Sequence, residues 1–522
     1  MTRKLAPDIG GQGAEQDLTG SNRLARNVLA SWSAHVVFVV AGFLLPRMID
    51  SHIGQVSLGI WDFCWSLVNY FGIAGLGIGT AVNRFVAKHR AAGDIGELRR
   101  TISSVAVIQA VVGVVLVLAS AGLYVALPLF FADHVGSQVE ESRAVVALLG
   151  LAMAAQMALD SFRGVITGCH RWDIHNGINA GSYAVAVVGM IAALVLGGGL
   201  LSLALVYFAC TLVAELVRAV VAYRVCPELS IRWLYADWAH GKEVLLFGGK
   251  GILLGLPPFL VTQSINVSVA ATLGPAALAT FSRPLGLVRH IETFVNKFSF
   301  ILTPVAGALH GDGRVDEVGQ LAIESARWGV AMTLPPALGL AILGDALVEI
   351  WMGADYVIPG LLPLLALGMF PVIGQSSVLR VVMGMDLHGR IGLAALVTTA
   401  AIFGVGVMAN NIVGWTLHGA AALAVASIGI PFGVVVPYYA CRRLGIQFAG
   451  YLLRAFTVPV LCGVAFSLPL AASRHLLQGS PLLTLVVGCL TGGLVLAGAY
   501  WRWLFSEENR VRVRDAVLPG RA

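Results

Sequence analysis

The sequence predicts an all-α polytopic membrane protein: about fourteen transmembrane helices, in two pseudo-symmetric six-helix lobes around a central cavity, plus two C-terminal helices. Three observations predict it. Hydrophobic residues make up 57% of the 522 and charged ones 12%, against a usual charged share of about 25%. So little charge cannot cover a water-facing surface of this size. Apolar segments of the roughly 20 residues that cross a bilayer recur along the whole chain, starting near 27, 57, 101, 144, 177, 200, 244, 277, 325, 359, 391, 416, 450 and 481. The sequence also repeats itself weakly. Residues 53–63 (IGQVSLGIWDF) read against 273–283 (LGPAALATFSR), with Gly54/Gly274 and Leu58/Leu278 identical. Gly93-Asp94 falls against Gly311-Asp312 after a two-residue adjustment.

Residues 1–20 are Gly-rich and polar and read as part of a disordered cytoplasmic tail, 1–23. The first span carries His35 and ends at Pro46-Arg47; it is too long for a signal-peptide core and no A-x-A site follows, so no cleaved leader is expected. The second carries Trp61, Asp62, Cys64 and Trp65, then a cluster of Gly72, Gly75, Gly77 and Gly79 at its inner end. Spans three to six complete an N-lobe, 24–226. In it Asp160/Arg163 and Glu215/Arg218 have the i,i+3 spacing of local ion pairs. The seventh span opens a C-lobe, 240–443, and holds Lys250 and Pro257-Pro258; the ninth holds Pro335-Pro336. Prolines kink helices and free carbonyls, which suits either lobes that open alternately or close packing. Spans thirteen and fourteen occupy 449–505, followed by a cytoplasmic tail, 506–522. Spans one and seven enter from the same side, so the copies are parallel, related by an axis along the membrane normal.

With both ends cytoplasmic, 27 of the 34 Lys and Arg lie inside, 3 outside (Arg47, Arg143, Arg474) and 4 within spans, as the positive-inside rule requires. Topology therefore accounts for the net charge of +6 without a nucleic-acid partner. The seven cysteines show no paired spacing and read as small packing residues. Gly75-x-Gly77-x-Gly79 lies inside a span rather than after a strand, and Phe247-Gly-Gly-Lys250-Gly lacks the Ser/Thr of a P-loop, so no nucleotide site is expected. No catalytic residues, metal site or cofactor are expected; the short connections leave no room for the large catalytic loop of a polymerase or ligase.

Ionisable groups at mid-bilayer cost roughly 2.5–3.5 kcal/mol each and are tolerated mainly beside water or a partner. Here the interior cations gather in spans seven and eight: Lys250, Arg283, Arg289 and Lys297. Arg283, His290 and Lys297 are seven apart and share one helical face; Arg289, Glu292 and Asn296 fall opposite, with Arg289 and Glu292 spaced to neutralise each other. A cationic stripe facing a cavity suits an anionic substrate, above all a phosphate or diphosphate. Lys250, Arg283, Arg289, His290 and Lys297 are thus candidate substrate contacts; Asp62 and Glu292 are candidates for coupling to a proton or sodium. Asp62 alternatively pairs with Arg47, and His35 is a weaker candidate. Periodicity does not say which face of span eight meets the cavity.

The run Arg26-Asn27, Leu45-Pro46, Gly54, Gly59, Tyr70-Phe71-Gly72, Gly75-Leu76-Gly77-Ile78-Gly79-Thr80-Ala81, Arg84-Phe85 and Gly93-Asp94 resembles the polysaccharide flippases of the multidrug/oligosaccharidyl-lipid/polysaccharide exporter superfamily. Leu273-Gly274, Phe281-Ser282, Thr303-Pro304, Gly311-Asp312 and Ile350-Trp351-Met352-Gly353 with Tyr356 agree. The resemblance implies an inner-membrane transporter that turns undecaprenyl-diphosphate-linked oligosaccharides, for O-antigen, capsule or exopolysaccharide, to the outer leaflet by alternating access with an ion gradient, beside membrane lipids and polysaccharide polymerase machinery. Ala74-Gly75 stands where members often carry an acidic residue, so no coupling role carries over to that position. Within the superfamily the rivals are a multidrug antiporter, which would want acidic cavity residues, and a peptidoglycan-precursor flippase, which would share the diphosphate handle.

Overall fold

A computed structural model describes residues 21–75, 77–135, 138–299, 301–477, 479–507 and 510–511. Of the expected tails, 1–23 and 506–522, residues 1–20, 508–509 and 512–522 lie outside the described residues, as does the side chain of Lys250. The described residues are mostly helical and include no strand. The first half comprises α1 (Ser21–Asn69), α2 (Ile78–Ala91), α3 (Ile95–Val135), α4 (Val139–Ala158), α5 (Asp160–Gly168), α6 (Trp172–Val195) and α7 (Leu200–Val225). The second comprises α8 (Trp238–Leu273), α9 (Pro275–Ser299), α10 (Leu302–Gly311), α11 (Val315–Met352), α12 (Leu361–Gly374), α13 (Ser376–Gly384), α14 (His388–Val413), α15 (Leu417–Ile430) and α16 (Val436–Arg443). Then α17 (Phe448–Leu476) packs on α11, and α18 (Pro481–Ala499) on both.

Among the described residues twelve helices are long and apolar enough to cross a membrane. Two facts reconcile this with fourteen spans. Within α1, Gly54 (φ 86°, ψ 166°) breaks the helix, so the apolar stretch Ser33–Gly75 is two spans joined by a sharp turn. The helix α9 is long enough, about 37 Å at 1.5 Å per residue, but its charges keep it out of a purely apolar count.

The repeat is written in the backbone. Gly274 (φ 90°, ψ 166°) has nearly the conformation of Gly54, 220 positions earlier. Each is a left-sided conformation that costs glycine little because it has no Cβ. Gly93 (φ 69°) and Gly313 (φ 75°) are again 220 apart and close the same turn: Gly93 N donates to Arg90 O and Asp94 N to His89 O, while Gly313 N donates to His310 O and Arg314 N to Leu309 O. This corrects the sequence alignment. Gly93 corresponds to Gly313 rather than Gly311, and no two-residue adjustment is needed. Further on the register is 216. Leu159, between α4 and α5, corresponds to Gln375, between α12 and α13; His170 and Asp386, both at φ 57°, correspond likewise.

These breaks, not the prolines, interrupt the spans. Pro257-Pro258 and Pro335-Pro336 lie inside uninterrupted helical runs. At the Leu159 break Gln109 Oε1 accepts from Ser161 N at 2.7 Å; at the other, Gln375 Nε2 donates to Gly433 O (2.9 Å) and its Oε1 accepts from Tyr451 OH (2.8 Å). One continuous core, including Leu58 and Phe63 of α1, Leu149 of α4, Phe281 of α9 and Leu365 of α12, joins the halves. All seven cysteines are free.

Candidate functional site at the seam between the halves

The two halves meet where α1 lies against α9 on one side and α8 on the other. Glycine sets the approach. A Cβ on Gly59 would stand 1.8 Å from the Pro275 carbonyl oxygen, so only glycine lets the start of α9 sit this close. That contact fixes the depth of α9: Gln55 Nε2 donates to Thr280 Oγ1 at 3.0 Å, and the Arg283 guanidinium pairs with the Asp62 carboxylate. The Arg283 side chain is 6% exposed and that of Asp62 18%, so neither charge is left to water alone.

Farther along the same face, the His290 ring stacks on Phe43 with centroids 5.8 Å apart, over the bare backbone of Gly42. His35 of α1 lies within electrostatic reach of both His290 and Lys297. The face that sequence spacing assembled from Arg283, His290 and Lys297 is thus turned toward α1 of the other half. Beside it, Arg47 Nη1 donates to Met352 O (2.7 Å), Trp351 Nε1 to Phe43 O (2.7 Å) and Tyr356 OH to Asp50 Oδ1 (2.6 Å), tying α1 to the end of α11. Against α8, Asn266 Nδ2 donates to Ser66 Oγ (3.1 Å) and Tyr70 OH pairs with Ser264 Oγ (2.8 Å). The glycine cluster closes the far end: Gly77 (φ 83°) abuts Gly248, and the Arg84 guanidinium lies 4.3 Å over the Phe247 ring.

Two expectations change. Asp62 pairs with Arg283 rather than Arg47, whose carboxylate neighbour is Asp50 at 3.8 Å. The second stripe of span eight, Arg289, Glu292 and Asn296, points away from the seam into a cavity of about 380 Å³ within the second half, walled by Pro258, Gln375 and Arg380 among others. Arg289 and Glu292 attract one another there without forming a contact ion pair. Lys250 sits within α8.

Sequence reasoning missed a second cavity, about 260 Å³, inside the first half. It read Asp160/Arg163 and Glu215/Arg218 as separate local pairs; folding brings both to one wall. Arg163 Nε lies 2.7 Å from Asp160 Oδ1 and its Nη2 donates to Oδ2 at 2.9 Å. Arg218 pairs with Glu215 and also donates from Nη2 to Asn179 Oδ1 at 2.6 Å. Gly79 leaves the space, since a Cβ there would meet Arg163 Nη2 at 2.6 Å. The available signal was that two charge pairs of identical spacing sit near the same ends of spans four and six.

Two repeated halves of apolar spans joined at a polar seam define a multi-pass membrane protein. Comparison with known proteins specifies it. A family described as "Polysaccharide biosynthesis protein" matches residues 100–358. A solved multidrug resistance MATE family transporter of the MOP superfamily, inward-facing, aligns with TM-score 0.64 at 14% identity, covering 81% of this chain and 97% of its own. A MOP superfamily transporter from Pyrococcus furiosus, described by a binding pocket of reverse polarity, gives 0.61 at 15%, covering 81% and 95%. The lipid II flippase MurJ in an inward closed conformation gives 0.59 at 12%, covering 91% and 98%. No curated protein matches the sequence. The chain is a multi-pass membrane protein that shares its fold with these transporters, and over residues 100–358 it is similar to the polysaccharide biosynthesis family.

Proposed function

We propose that the chain flips undecaprenyl-diphosphate-linked oligosaccharides across the inner membrane, with the diphosphate held at the seam. The observation that carries this reading is the heading of the Arg283–His290–Lys297 face toward α1 of the other half. A binding group placed between two halves has different neighbours in each arrangement of those halves, and a ligand moves such an equilibrium only through differential contacts. In the resting arrangement Asp62 occupies Arg283. A diphosphate entering the seam competes for the guanidinium as a doubly charged, bidentate acceptor, and Asp62, released, takes a proton or sodium. Lys250 and the cavity-facing Arg289 are secondary contacts, and Glu292 is a second coupling candidate. The lobes are 24–226 and 240–443, with 449–505 riding on the second and both termini cytoplasmic. A carrier of cationic drugs would place net negative charge here, whereas the seam is net basic.

The test is translocation of a lipid-diphosphate oligosaccharide in proteoliposomes, with and without a proton or sodium gradient. Gradient-dependent appearance in the far leaflet is expected. Arg283→Ala should abolish it with the protein still inserted, and Arg283→Lys should retain part, because a point charge replaces a planar fork. Export of a cationic dye without lipid movement would overturn the reading.

A further inference from the structure

The cavity of the first half lies one helical turn from the seam, since Phe38 of α1 lines it and His35, three residues earlier, faces His290 and Lys297. Its wall combines features that no packing role requires. Asp160 and Glu215 are 5% and 3% exposed, and each is matched by its own arginine, so the wall carries four charges that sum to zero. Asp160, Glu215 and Arg218 are buried and Arg163 alone reaches the surface, and burial of charge is costly unless every hydrogen-bonding site is filled. Yet Glu215 Oε2 and Arg218 Nε, both buried, have no partner. These two atoms are matched by a group that brings both a donor and an acceptor.

An ion does not meet that need. A cation would have to displace a guanidinium from a carboxylate, and an anion the reverse. A neutral polyhydroxylated ring leaves both pairs intact and offers hydroxyls, each a donor and an acceptor, to the unfilled positions. The lining also supplies what such a ring's C–H faces pack against: the Phe38 and Tyr183 rings, with centroids 4.9 Å apart, and Tyr207, whose hydroxyl accepts from Gln156 Nε2 at 3.3 Å. At about 260 Å³ the space falls below the roughly 300–1,000 Å³ of sites for drug-sized ligands, so it suits one sugar ring rather than an oligosaccharide. The repeat argues that this chemistry was placed rather than inherited. In the 216 register Asp160 corresponds to Ser376 and Arg163 to Leu379 of the second half, so the other copy has no such charge pair.

We infer that the cavity between α4, α5, α6 and α7 is a specificity pocket for a single neutral sugar residue, the one attached directly to the lipid diphosphate. The inference rests on the flippase reading and deepens it: the seam takes the phosphates and the adjacent cavity reads the first sugar.

The test uses the full chain in detergent micelles and two probes, undecaprenyl diphosphate and the same lipid carrying one hexose or N-acetylhexosamine, with affinity read by native mass spectrometry. Wild type should bind at least one sugar-bearing lipid about tenfold more tightly than the bare one, the worth of one or two satisfied hydrogen bonds. Glu215→Gln removes an acceptor but leaves Arg218 unbalanced and risks the fold. Gln156→Met and Tyr183→Leu alter the wall without touching a charge, and each should erase the preference while leaving bare-lipid affinity within about twofold. Equal binding of all lipids by wild type, or a preference that survives both substitutions, overturns the sugar pocket and leaves the flippase reading standing. Failure of wild type to bind either kind of lipid overturns the flippase reading itself.

Discussion

Arg283 of α9 is paired with Asp62 of α1, one residue beyond the place where the repeat sets Asp62 against Ser282. Duplication brought equivalent depths of the two halves together, and divergence at neighbouring positions gave them opposite charges. Removing one member of a buried pair strands the other at about 3–5 kcal/mol, whereas replacing both by apolar groups of similar size is close to neutral. Arg283→Met should therefore lower the midpoint of thermal unfolding more than Asp62→Leu with Arg283→Met does. Equal losses in the two variants would mean that the pair is not coupled.

At Gly59 two opposing terms compete. Alanine gains up to about 1 kcal/mol in helix propensity over glycine, but its Cβ would lie 1.8 Å from the Pro275 carbonyl oxygen. Backbone cannot yield as a side-chain tip does, and overpacking costs about 1–3 kcal/mol. Gly59→Ala is expected to destabilise by roughly 1–2 kcal/mol net, and, by moving α9, to weaken the Arg283 pairing. Gly54→Ala, which has open space but φ 86°, should instead act only through backbone strain. Cross-linking between cysteines placed at positions 55 and 280 separates the two: its rate should fall sharply in Gly59→Ala and little in Gly54→Ala.

The class of fold was legible because apolar length and loop charge are local properties of the sequence. Span eight stood out as an apolar segment from about 277, although its charges keep it out of a stricter hydropathy count. The repeat was legible at Gly54 and Gly274, where a backbone conformation demands glycine, and misplaced by two residues at Gly311, where two glycines compete and only the turn geometry selects Gly313. What stayed hidden was long-range. Asp160 and Glu215 are 55 positions apart, and nothing local to either predicts a common cavity. Nor does periodicity orient a helix: the packing of α9 against α12 and α13 sets Arg289 into the cavity of the second half.

Tyr451 of α17 is fully buried and donates its hydroxyl to Gln375 Oε1 at 2.8 Å, while Gln375 Nε2 holds the carbonyl of Gly433. Three helices thus meet at the break between α12 and α13. Tyr451→Phe keeps the packing and leaves Gln375 Oε1 without a partner, an omission worth about 1–3 kcal/mol. Ser161, whose backbone is held at the equivalent break by Gln109, is unaffected. Hydrogen exchange should accordingly quicken around residues 371–378 of Tyr451→Phe and stay unchanged around 157–163. Uniform loosening of both breaks would contradict local fastening.

The strap between the halves, 226–237, is pinned along α3: Glu228 O accepts from Arg99 Nε (3.0 Å), and Ser104 Oγ accepts from Asp237 N (2.8 Å). At its end His240 reaches two carboxylates, with Nε2 2.7 Å from Glu97 Oε2 and Nδ1 2.9 Å from Asp237 Oδ2. Only the imidazolium donates from both nitrogens. The Glu97 hydrogen bond, reinforced by that to Asp237 against partial burial, raises the His240 pKa above its ordinary 6.5. Arg100, 3.9 Å from Glu97, shares that carboxylate from the exposed side. A group whose folded pKa is raised contributes stability that is complete below the unfolded value and disappears as pH climbs through the folded one. The strap should therefore resist proteolysis best at pH 6 and below, and become more susceptible as pH rises past 6.5. His240→Gln should flatten that dependence, and a profile as steep as that of wild type would mean that another group controls the strap.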